Sequence, residues 1–120
     1  MKVAFHAING VGLGHLVRTM CLAREIRALV PTCDLLVVTN AADTSMLAEA
    51  SIDFVKLPPR ANEPHADPRR ARVALPEALE EAALIATFEA FAPDLVVFDT
   101  HAPLRVVRHL ATIGVRSVLV

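Results

Sequence analysis

Short continuous apolar runs alternate along the chain with segments of helical period. Lys2 to Ile8 is a strand-like run that ends on the turn signal Asn9-Gly10. From His15 to Val30 the apolar residues Leu16, Met20, Ala23, Ile26, Leu29 and Val30 follow the helical period, with Arg18, Arg24 and Arg27 on other faces. Pro31 stops that helix. Leu35 to Thr39 is a second strand, and Asp43 or Thr44 can cap a short helix running to about Ala50. Ile52 to Leu57 is a third strand, ended by Pro58-Pro59. Residues 58–75 are rich in Pro, Arg and Ala without a period and read as a long loop. Pro76 suits the first turn of a helix that reaches about Phe91, and Glu77, Glu80 and Glu81 suit its positive end. Pro93-Asp94 breaks it; Leu95 to Phe98 is a fourth strand ending at Asp99. Pro103 to Ile113 is a helix ended by Gly114, and Arg116 to Val120 is a fifth strand.

Strict strand–helix alternation with continuous apolar strands predicts an α/β fold: a Rossmann-like parallel sheet with helices on both faces. Ligands of such sheets bind beyond the C-terminal ends of the strands, which singles out residues 9–15, 40–43 and 99–103. The pattern closes on a strand without the helix that should cover it. The expectation is therefore a domain of a longer protein.

Composition narrows the function. The net charge is −1 and there is no Trp or Tyr, so neither a phosphate backbone nor stacked bases would find a surface, and no nucleic-acid partner is expected. Apolar residues make up 54% of the 120 positions, enough for a core and for a face shared with a partner domain. No run approaches the roughly 18 apolar residues of a membrane span, and the first strand is too short for a signal peptide. Cys21 and Cys33 have no metal-ligand spacing and read as free thiols. The expected location is the cytoplasm, and no metal site is expected.

The first loop, Asn9-Gly10-Val11-Gly12-Leu13-Gly14-His15, lets backbone N–H groups approach an anion or a sugar hydroxyl at a helix N-terminus. A dinucleotide fingerprint would place Gly where His15 stands and an acidic residue where Thr39-Asn40 close the second strand. A P-loop would need Lys and then Ser or Thr after its last Gly. Both are excluded by pattern. His15 has two readings: a proton acceptor near neutral pH, or a cap of the helix that follows.

The segment Gly10-Val11-Gly12-Leu13-Gly14-His15-Leu16-Val17-Arg18, with Leu22-Ala23-Arg24-Glu25-Ile26 after it, resembles the opening of GT-B glycosyltransferases. The nearest likenesses are the MurG-like transferases and the PseG-type UDP-sugar hydrolases. Pro93-Asp94-Leu95-Val96-Val97-Phe98-Asp99 looks like that superfamily's fourth strand. The likeness covers the whole chain as an N-terminal domain. MurG-like loops usually read Gly-Gly-x-Gly-Gly-His, and Arg18 leans toward the hydrolase-like branch.

The resemblance implies the N-terminal, acceptor-side half of a two-domain GT-B enzyme. Its C-terminal half would bind a nucleotide sugar, UDP- or dTDP-linked, as co-substrate, with no further cofactor. The acceptor would be a small molecule or a lipid-linked one, the latter bringing the protein to the membrane periphery. On this reading His15 is the general base and Asp99 orients it. Gly12 and Gly14 would approach the donor diphosphate or the reacting sugar. Arg18, near i+3 from His15, would hold an anionic group or pair with a carboxylate. Asp99 could instead cap the next helix together with Thr100, and His101 could share the cleft or face solvent. Arg60, Arg69, Arg70 and Arg72 around His65 suggest an anion site or a solvated loop. The alternatives to a transferase are a nucleotide-sugar hydrolase and a non-catalytic Rossmann-like binding domain. The chain alone is expected to have little or no activity.

Overall fold

A computed structural model describes residues 1–8, 13–58 and 76–120. Among these residues five strands alternate with four helices: β1 (Lys2–Ala7), α1 (Gly14–Leu29), β2 (Asp34–Thr39), α2 (Ser45–Glu49), β3 (Asp53–Lys56), α3 (Glu77–Phe91), β4 (Leu95–Asp99), α4 (Leu104–Thr112) and β5 (Arg116–Leu119). All strand pairs are parallel, in the order β3-β2-β1-β4-β5. The α/β Rossmann-like fold read from the sequence is the fold observed.

The period-2 alternation of the strands splits the core into two layers. Val3, Phe5, Leu35, Val37 and Val97 face Leu16 and Ala23 of α1 and Leu47 of α2. Ala4, Leu36, Val38, Val96 and Phe98 face Leu84 and Phe88 of α3 and Val106 and Leu110 of α4. The three inner strands are therefore apolar on both sides, as a sheet covered on both faces requires. The edge strands are not: β5 is exposed throughout, and β3 keeps Asp53 and Lys56 in solvent.

Local chemistry ends the helices where the sequence breaks. Pro31 follows α1, whose last turn is closed by Val30 N–H donating to Ile26 O at 2.8 Å. Ala92 ends α3 in the left-handed region at φ 53°, its N–H on Phe88 O, with Pro93 behind it. Gly114 takes φ 77° after α4, a value only glycine adopts without strain. At α2 Thr44 is the cap position but makes no side-chain bond; Asp43 Oδ1 accepts the Ser45 N–H at 2.9 Å instead.

Glu80 stands in the first turn of α3, as the pattern predicts, and is also buried, with Oε1 3.9 Å from Nε2 of the buried His6 on β1. Among the described residues no helix is long and apolar enough to cross a membrane.

Candidate active site

β1 passes to β2 on one side through α1, while β4 lies on its other side. The order of connection therefore reverses between β1 and β4, and the loops leaving them separate to form a crevice. In register, Ala7 at the end of β1 lies beside Asp99 at the end of β4. The first turn of α1 stands over this point, because Leu16 and Ala23 anchor the helix on the sheet through Phe5 and its neighbours.

Among the described residues four side chains meet there. His15 Nδ1 is 3.3 Å from Asp99 Oδ1 and 3.1 Å from Thr100 Oγ1. Arg18 Nε donates to Asp99 Oδ2 at 3.3 Å, and Arg18 Nη2 lies 3.0 Å from both Asp99 Oδ1 and His15 Nδ1. Thr100 Oγ1 donates to Asp99 Oδ1 at 2.8 Å and stands 3.5 Å from Arg18 Nη2. Asp99 is 2% exposed, His15 34% and Arg18 50%. A buried carboxylate thus lies at the floor, an arginine covers it from one side, and an imidazole rises from it toward solvent.

The contacts explain why each group is there. Burying a carboxylate is costly unless charge and hydrogen bonds compensate it, and Arg18 and Thr100 supply both. Spacing of i+3 puts His15 and Arg18 on one helix face. Among the described residues His15 makes its contacts through Nδ1, so Nε2 is the nitrogen turned away from the cluster. A ring held at one nitrogen by a carboxylate, with the other turned outward, is the arrangement of a positioned proton acceptor. His15 does not cap α1: the cap position is Leu13 and no side chain caps it. Gly14 opens α1, and among the described residues a Cβ there would meet nothing within 4 Å.

The structure therefore brings together His15, Arg18 and Asp99, with Gly14 beside them. Gly12 and the arginine-rich stretch from Arg60 to Arg72 lie outside the described residues. His101 is exposed and joins the site through its backbone, its N–H donating to Asp99 O at 2.8 Å. Thr100 is the site residue that the sequence offered only as a companion to Asp99 in capping the next helix. Cys21 is exposed, Cys33 is buried, and both are free. Among the described residues no group of three or more His, Cys, Asp or Glu could hold a metal ion. Grooves of about 560 Å³ between α1 and α2 and about 460 Å³ beside α3 contain none of the site residues.

No protein-family model and no curated protein matches the sequence. Solved structures do match the fold. A glycosyltransferase from Rickettsia africae ESF-5 superposes on 98% of the chain with a TM-score of 0.65 at 15% identity. A UGT transferase from Siraitia grosvenorii in complex with UDP superposes on 98% with a TM-score of 0.58 at 17% identity. The chain shares its fold with glycosyltransferases. It spans 28% and 23% of the length of these two proteins. The C-terminal domain of the PF1911 hydrogenase from Pyrococcus furiosus also superposes, on 98% of the chain, with a TM-score of 0.64 at 14% identity. The same fold thus serves different chemistries, and function has to be argued from the site.

Proposed function

We propose that this chain is the acceptor-side domain of a glycosyltransferase that moves a sugar from a UDP- or dTDP-linked donor to an acceptor hydroxyl. The observation that carries this reading is the His15–Asp99 pair at the reversal point of the sheet. His15 Nε2 takes the proton of the acceptor hydroxyl as its oxygen bonds to the anomeric carbon. The bond from that carbon to the diphosphate oxygen breaks, and the nucleoside diphosphate leaves with the electron pair. Asp99 holds the ring through Nδ1 and stabilises the imidazolium that forms. Arg18 offsets the charge of Asp99. The first turn of α1, which begins at Gly14, presents backbone N–H groups to an oxygen of the sugar or diphosphate. The fold shared with a UDP-bound transferase supports a nucleotide donor.

The matched transferases are several times longer than this chain. The reaction is accordingly assigned to a longer protein whose second domain binds the nucleotide. The test is to incubate that protein with a panel of UDP- and dTDP-sugars and follow nucleotide release with and without hydroxyl acceptors. Acceptor-dependent release, lost by about 10²–10⁴-fold in His15→Ala, is the expected outcome. Release at the same rate without any acceptor would replace the transferase by a hydrolase. Turnover undiminished in His15→Ala would remove the base assignment.

A further inference from the structure

Thr100 adopts φ 69°. A β-branched residue is poorly suited to this region, which glycine occupies freely. His101 N–H donates to Asp99 O at 2.8 Å across it, so residues 99–101 form a tight three-residue turn of the rare, positive-φ hand. Thr100 N–H donates in turn to Val120 O at 2.9 Å, which pins the turn from the other side. Strain of this kind persists where the surroundings hold it and where the side chain it aims has a use. Here the turn points a hydroxyl back into the gap between Asp99 and His15.

The use follows from counting protons. His15 Nδ1 has competing neighbours: Asp99 Oδ1 and Thr100 Oγ1, which can accept, and Arg18 Nη2, which can only donate. If Nδ1 carries the proton, the lone pair lies on Nε2, outside the cluster. If Arg18 donates to Nδ1, the proton lies on Nε2 and the ring cannot take another there from a substrate while neutral. The Thr100 hydroxyl has a single proton, and the carboxylate claims it: at 2.8 Å the bond to Asp99 Oδ1 is the shortest in the cluster and is charge-assisted. Its lone pairs then face Nδ1 and call for an N–H. The protons of Arg18 have other acceptors within reach, namely Asp99 Oδ2 and Oδ1 and Thr100 Oγ1.

We propose that Thr100 is a positioning residue that selects the Nδ1–H tautomer of His15 and so keeps the accepting lone pair on Nε2. The use of that lone pair rests on the reading of His15 as the base, but the tautomer itself does not. It can be read directly by long-range ¹H–¹⁵N NMR on the ¹⁵N-labelled 120-residue chain, at a pH where the ring is neutral. The wild type and Thr100→Ser are expected to show the proton on Nδ1. Thr100→Val keeps the branch and removes the hydroxyl, and is expected to move the proton to Nε2, because Arg18 Nη2, at 3.0 Å the nearest neighbour of Nδ1, is then opposed only by the more distant Asp99 Oδ1 at 3.3 Å. Thr100→Gly removes the hydroxyl while suiting the positive φ, so it gives the same readout should the valine variant fail to fold. A wild-type proton on Nε2, or a proton retained on Nδ1 in both variants lacking the hydroxyl, would overturn the proposal. Absence of glycosyl transfer in the longer protein would overturn the functional reading and leave this result unchanged.

Discussion

Asp99 is buried deeply enough that its surroundings, more than solvent, decide what it costs. Arg18→Ala removes the cation beside it and should destabilise the chain by about 1–2 kcal/mol, less than for a fully buried pair because Arg18 is half exposed. A lower urea midpoint at unchanged slope would show this, and Arg18→Lys should recover only part of it. A loss below about 0.5 kcal/mol would mean that the pair contributes no more than an ordinary surface contact. His15→Ala should separate from this behaviour. It leaves the Arg18–Asp99 contact in place, so stability should change by less than about 0.5 kcal/mol while transfer by the longer protein collapses. At this scale the sequence was partly legible. The i+3 spacing put Arg18 on the face of His15, and the strand end put Asp99 at the ligand edge. That Arg18 pairs with this buried carboxylate, and not with one on the surface, required the fold. Thr100 could not have been read, because its backbone conformation runs against the preference of its own side chain.

The elements themselves could be read closely, since prolines and glycines punctuate the apolar runs and most boundaries fall within two residues of the pattern. What pattern missed are their ends in detail. Ala92 closes α3 at φ 53°, where glycine is unstrained and no side chain is being used. Ala92→Gly should therefore raise stability by about 0.5–1 kcal/mol, measurable as a higher Tm; an unchanged or lower Tm would mean the lost chain entropy of the unfolded glycine outweighs the relief. At α2 the hydrogen bonds from the Ser45 side chain and backbone N–H hold the Asp43 carboxyl below its usual value of 3.8, with Lys56 adding to the effect. A carboxyl with a lowered folded pKa favours the native state above its unfolded pKa and loses that contribution as pH falls through the folded value. The stability difference between wild type and Asp43→Asn should accordingly be present at neutral pH and vanish in acid below the ordinary carboxylate range. A difference that persists there would assign the effect to shape instead of charge. Glu80 marks another limit of pattern: a carboxylate in a first helical turn looks like a dipole partner until the sheet brings His6 against it.

For the molecule as a whole, stability depends on the two apolar layers meeting across the inner strands. Phe98 is fully buried, edge-on to both Phe88 and His6, with centroids 6.3 and 5.8 Å away. Phe98→Ala should cost about 3–5 kcal/mol, a large part of the 5–15 kcal/mol that holds a domain together. Urea unfolding would measure it, and a loss below about 2 kcal/mol would mean that the layer closes over the gap. Sheet order was not legible from pattern, because parallel strands of similar composition can be ordered in several ways. The observed order puts β1 at the centre. That central position has a consequence for synthesis. Of the five strands, β1 is made first and ends innermost, and the carboxylate that completes its site follows His15 by 84 residues. At about 5–20 residues per second, a ribosome takes roughly 4–17 s to bridge that interval. Throughout it the nascent chain displays the imidazole and the guanidinium with no anion between them. The charge cluster is therefore a mark of completed translation through β4, and a chain interrupted earlier cannot display it.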